Sequence, residues 1–135
     1  MQAKDVMVRD VVTISPFAKL REALAKMKRH RLKSLVVEKQ NDQDAWGLIT
    51  YTNILKLVIA EDGDIDLLNV YDACAKPVIS VGADLAVKHV AAMMVQSRVK
   101  RVLVLENNEM LGLVAMDDII DVLLEDINEE TESQV

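Results

Sequence analysis

The stretch Trp46-Gly47-Leu48-Ile49-Thr50-Tyr51-Thr52-Asn53-Ile54 returns later as Leu111-Gly112-Leu113-Val114-Ala115-Met116-Asp117-Asp118-Ile119. Each copy reads as a strand with a glycine near its start, a corner of short polar side chains, and the opening of an amphipathic helix. The similarity extends outward from this corner. A shift of 67 positions lays Arg31–Val37 over Arg98–Val104, and Leu20, Ala23, Leu24 and Met27 over Val87, Val90, Ala91 and Met94. The same shift lays Val12-Thr13-Ile14 over Ile79-Ser80-Val81, and Asp5 and Met7 over Asp72 and Cys74. A two-residue deletion in the 38–46 loop changes the shift to 65 and brings Gly47 onto Gly112. A register held through a strand, a helix, two more strands and a second helix marks an internal duplication.

Each copy carries the order β-α-β-β-α. In the first, residues 4–8 read as a short helical turn and Val11–Ile14 as a strand rich in branched side chains. Ser15-Pro16 breaks that strand. Leu20, Ala23, Leu24 and Met27 then follow the i, i+3, i+4, i+7 spacing of a helix with one buried face. Ser34–Lys39 reads as a strand whose Leu-Val-Val run suits burial on both faces. After the polar turn Gln40–Asp44 comes the strand Trp46–Thr50. From Thr52 a second helix is expected to set Ile54, Leu55, Val58 and Ile59 on its apolar side.

Glu61-Asp62-Gly63-Asp64 breaks the chain through charge and glycine. The second copy is expected to place a short turn near Leu68–Ala73, a strand at Val78–Val81 and a helix over Val87–Ser97. Strands at Arg101–Glu106 and Met110–Ala115 follow, joined by Asn107-Asn108 as a tight hairpin turn. The last helix is expected over Asp117–Ile127. The domain reading is therefore 1–62 for the first repeat, 63–127 for the second, and 128–135 as an acidic, frayed tail.

The fold class expected is mixed α/β (α+β), built as tandem β-α-β-β-α repeats related by a pseudo-twofold axis. About sixty residues cannot bury enough apolar surface alone, whereas two copies can share a core. Of the 135 residues, 51% are hydrophobic but only four are aromatic, so that core is aliphatic. A net charge of −6 argues against nucleic acid and anionic membrane surfaces as partners. No apolar run is long enough for a membrane span, and no signal peptide is recognisable. A single cysteine forms no internal disulfide and fits a cytoplasmic setting.

The tandem order, the opening Lys4-Asp5-Val6-Met7 and the paired glycine corners ending in Asn53-Ile54 and Asp118-Ile119 resemble a CBS-domain pair, or Bateman module. The resemblance covers residues 4–127. It implies a regulatory module that holds an adenine nucleotide (AMP, ADP or ATP) or S-adenosylmethionine in the cleft between the repeats, with no tightly bound cofactor. It also implies pairing of two modules, here as a homodimer, and an effector protein as a further partner.

The family's ribose-binding acidic position falls on Asp118 in the second copy and on Asn53 in the first. Its phosphate-facing pair falls on Lys100-Arg101 and on Lys33-Ser34. Corner hydroxyls stand at Thr50 and Thr52, where the second copy has Ala115 and Asp117. The residue near the adenine is Thr13 or Ser80, and Val99 and Leu113 are placed to sandwich the ring. A carboxylate accepts two hydrogen bonds from a ribose diol, and Arg grips a phosphate bidentately. The second copy therefore has the better-equipped site.

Purely structural roles compete for the same residues. Asp117, Asp118, Thr50 and Thr52 suit helix caps and first turns, and Lys100 and Arg101 suit solvated strand ends. His30 and His89 have no partner at metal spacing. With no nucleophile–base set, P-loop or dinucleotide fingerprint, an enzyme is not expected. The alternative function is a ligand-free structural dimerisation module.

Overall fold

The computed structural model describes residues 1–133. Its elements are α1 (Ala3–Val6), β1 (Thr13–Ile14), α2 (Leu20–His30), β2 (Ser34–Val37), β3 (Gly47–Thr50), α3 (Tyr51–Leu55, followed by a π-helical turn over Lys56–Ala60), α4 (Val70–Ala73), β4 (Ser80–Val81), α5 (Val87–Ser97), β5 (Arg101–Glu106), β6 (Glu109–Ala115) and α6 (Met116–Ser133). The chain forms two compact units, Val11–Val78 and Met1–Asp10 together with the chain from Ile79 onward. Among the described residues no helix is long and apolar enough to cross a membrane.

The first unit holds the sheet β1-β2-β3, with β1 parallel and β3 antiparallel to the central β2. All four residues of β2 are buried, as expected for a strand covered on both faces. Ile14, Leu35, Val37 and Ile49 pack with Leu20, Ala23 and Met27 of α2 and Ile54 of α3 into one core cluster. The second unit repeats this arrangement in the sheet β4-β5-β6. Val81, Val102, Val104 and Val114 pack there with Val90, Met94 and Ile119. The duplication extends to backbone detail. Both α2 and α5 close on an arginine in the left-handed conformation, Arg31 at φ 56° and Arg98 at φ 55°. Asn107 and Asn108 both have positive φ, as the tight β5–β6 hairpin requires.

The opening turns of the two repeats are exchanged between the units. Helix α1, which begins the first repeat in sequence, belongs to the unit built from the second. The Ala3 and Lys4 amides donate to the Leu85 and Ala83 carbonyls, and Lys4 Nζ lies 2.9 Å from Asp84 Oδ1. Helix α4 belongs to the first unit, where the Val70 amide donates to Ala18 O at 2.8 Å and Asn69 Nδ2 to Phe17 O at 2.8 Å. There Arg21 pairs with Asp66, whose carboxyl this exposed guanidinium holds below the usual carboxylate range. That contribution to folding is present at neutral pH and fades as pH falls through the lowered value. Cys74 closes α4 as Met7 closes α1. Its thiol is half-buried, and burial raises its pKa.

Two helices depart from expectation. Leu55 and Ile59 were assigned to the buried side of the second helix, yet they are 59% and 71% exposed. The π turn is the reason. Its wider i to i+5 spacing, seen in the bond from the Glu61 amide to the Lys56 carbonyl, rotates Leu57 and Val58 onto the core instead. The acidic segment 128–135 was expected to fray, but α6 continues to Ser133, and 134–135 lie outside the described residues. Alternating acidic and helix-favouring residues extend the helix without needing an apolar core beneath it.

Candidate functional site

Residues directly opposite one another in neighbouring strands project to the same face of a sheet. In the second unit Ser80 pairs with Leu103, which pairs with Leu113, and Arg101 pairs with Ala115. Ser80, Arg101, Leu103, Leu113 and Ala115 thus share the face turned away from the helices. In the first unit the same rule groups Thr13, Val36, Leu48, Ser34 and Thr50. Three residues chosen from sequence, Ser80, Arg101 and Leu113, therefore come to one surface. Val99, placed there as a ring contact, is instead half-buried against the second core cluster.

The corner brings Lys100 and Asp118 to the end of that surface. The Met116 amide donates to Lys100 O at 2.8 Å, which ties the first turn of α6 to the entry of β5. The first unit has the same strap, from the Tyr51 amide to Lys33 O at 3.0 Å. Lys100 is exposed and Arg101 half-buried; among the described residues neither has an ion-pair partner. Lys33 is likewise exposed and without one. Each is a cation with no anion of its own.

Asp118 and Asn53 perform the same local task. Asp118 Oδ2 accepts the Ala115 N–H at 2.9 Å, and Asn53 Oδ1 accepts the Thr50 N–H at 3.2 Å. Both are third residues of their helices reaching back to the capping position. They differ in what remains. The carboxylate has a second oxygen, without a hydrogen-bond partner among the described residues, while the amide has spent its one oxygen and offers only donors.

Thr50 completes the box in the first unit, its Oγ1 accepting the Asn53 N–H at 3.2 Å. That hydroxyl is a cap, whereas Thr52 is exposed in the first turn. Thr50→Ala is expected to cost about 1 kcal/mol of stability in chemical denaturation, with Thr52→Ala near neutral. Thr13 Oγ1 donates to Glu38 Oε1 at 2.9 Å, so this hydroxyl is also engaged. Ser80 is exposed.

One physical reading is corrected. The missing Cβ of Gly112 was taken to let a flat base approach the backbone. That space is filled: a Cβ built there would lie 2.7 Å from Val8 O and 2.8 Å from Met7 Sδ. The glycine admits the chain's own opening segment, which bridges Val8 to Leu113. Gly47 does the same more loosely for Ala75. This use of the glycines depends on α1 and α4 changing units, and no local pattern encodes that exchange.

Among the described residues no group of three or more His, Cys, Asp or Glu gathers as a metal would require.

The CBS domain model matches the chain twice, at residues 3–60 and 70–125. An uncharacterized protein of Methanopyrus kandleri is 31% identical over 119 residues, 87% of this chain, which spans 60% of that relative's length. The CBS domain-containing protein YhcV of Bacillus subtilis is 25% identical over 116 residues, covering 86% of this chain and 81% of the relative. Among solved structures, a hexameric CBS-CP12 protein from bloom-forming cyanobacteria superposes with a TM-score of 0.83 at 35% identity, over 89% of this chain and 69% of that one. With both repeats matched and both sheets built alike, the chain belongs to the CBS-domain family, as a pair of CBS domains.

Proposed function

We propose that this CBS pair is a regulatory module that senses an adenine nucleotide, and that the second unit carries its principal site. The observation that supports this most is the pairing of a half-committed carboxylate with two unneutralised cations at one corner. Asp118 keeps one oxygen for a ribose diol while the other caps α6. Lys100 and Arg101 supply the countercharge for phosphate, and the strap from Met116 to Lys100 O keeps the two ends of the site in register. Ser80 and Leu113 share a face with Arg101, where a base can lie against Leu113 and meet the hydroxyl. S-adenosylmethionine, which brings a cation in place of a phosphate, suits these two basic residues less well.

The first unit is the weaker site. Lys33 stands alone where the second unit has two cations, and Asn53 has no free acceptor oxygen. The Thr50 hydroxyl is held in its cap.

A homodimer is part of the proposal. The exposed apolar residues Leu55 and Ile59 in the first unit and Ile120, Leu123 and Leu124 on α6 are more than isolated surface positions. A thermal-shift panel of AMP, ADP, ATP and S-adenosylmethionine tests the sensing reading. Phosphate-bearing ligands should raise the midpoint by mass action and do so in proportion to the logarithm of concentration. No shift with any of the four would leave the module a structural dimerisation unit.

A further inference from the structure

The two units differ sharply in charge. Residues 11–78 carry ten Lys or Arg against nine Asp or Glu, whereas the rest of the chain carries six against thirteen. The imbalance is concentrated on α6, whose sequence holds no Lys, Arg or His. Ile120, Leu123 and Leu124 form an exposed apolar row on it, 44–53% accessible. Asp117, Asp121 and Glu125, spaced four apart and all exposed, run beside that row.

Helix α2 has the opposite character. Its last turn is Lys28, Arg29 and His30, all exposed, with Glu22 as the single acid along its length. Along it lies an open hollow of about 410 Å³, lined by Ile14, Ala18 and Ala25 on the apolar side and by Lys26, Arg29 and Glu22 at the rim. Arg29 and Lys28 have no ion-pair partner among the described residues.

We propose that the apolar row of α6 docks along α2 of a second copy, entering this hollow, so that the homodimer pairs unlike units. The inference rests on the homodimer reading above. Charge complementarity selects the arrangement. Like-with-like pairing sets the α6 carboxylate row against its own copy, and like charges brought together across an interface oppose association. Pairing α6 with α2 matches Asp121 and Glu125 to Lys28 and Arg29 while Leu123 and Leu124 meet Ala18 and Ala25. Each copy carries one surface of each kind, so the match needs no other partner.

Cysteine cross-linking in the full chain tests it. In a Cys74→Ala background, Ala25→Cys and Leu124→Cys are made separately, and disulfide formation is followed under mild oxidation. The covalent dimer should form in the one-to-one mixture and not with either variant alone. Raising salt from about 50 mM to about 500 mM should weaken wild-type association roughly tenfold, because attraction between unlike charges is screened. Efficient self-linking of Leu124→Cys, or salt-strengthened association, would overturn the arrangement. So would a dimer in light scattering that gives no cross-link in the mixture. A wild-type monomer at tens of micromolar (about the range where weak dimers persist) would instead remove the homodimer reading itself.

Discussion

Gly112→Ala should destabilise the protein by about 1–3 kcal/mol, the range for forcing extra volume into a packed site. The added Cβ meets Val8 O at 2.7 Å and the Met7 side chain at 2.8–2.9 Å. Met7 can swing aside, but Val8 cannot withdraw freely. Its amide donates to Leu113 O at 2.8 Å and its carbonyl accepts the Leu113 N–H at 3.0 Å, so relief of the clash breaks the bridge. Gly47→Ala provides the internal comparison. Its nearest neighbours are 3.1 Å and 3.3 Å away, tight but not overlapping, and it should cost less. Denaturant unfolding of both variants measures the difference. Equal stability of Gly112→Ala and wild type would mean that the opening segment does not lie against β6.

Asp118→Asn should separate the two duties of that carboxylate. Its capping duty survives the substitution, because Asn53 shows an amide oxygen accepting the equivalent N–H in the sister corner. Stability should therefore change by less than about 0.5 kcal/mol, whereas Asp118→Ala, which removes the cap as well, should lose about 1 kcal/mol. The ligand duty does not survive. Removing the charged acceptor for the ribose should cost about 2 kcal/mol of binding, roughly thirtyfold in Kd. A carboxylate serving only as a cap would show no such split.

The duplicated order of elements was readable because hydrophobic periodicity and the paired glycine corners reported it twice. The strand β5, the helix α5 and the Asn107-Asn108 turn appear where their residues place them. Three features escaped. The destination of α1 and α4 is tertiary, since the short turns Ala3–Val6 and Val70–Ala73 carry no mark of which sheet they will meet. The π turn at Lys56–Ala60 moved Leu55 and Ile59 to the surface because apolar spacing was read at 3.6 residues per turn. The reach of α6 to Ser133 lies beyond its apolar row, where composition alone suggested disorder.

Of the residues singled out for a ligand, Ser80, Arg101 and Leu113 share a surface because alternation along strands is a local rule, and Lys100 and Asp118 join it through the corner. Thr50 and Thr13 were chosen for their hydroxyls, but those hydroxyls bond to Asn53 and Glu38. A polar residue's partner across the sheet or down the helix is invisible in one dimension. Val99 shows the converse, an apolar residue drawn into the core beside the site.

Isothermal titration of the wild-type protein and its Asp118→Asn variant with AMP, ADP and ATP is the most direct test of the second-unit site. The account predicts saturable binding to wild type of at least one nucleotide and roughly thirtyfold weaker binding to the variant, with both proteins equally folded. Identical isotherms for the two proteins, or no heat from wild type with any of the three, would contradict it.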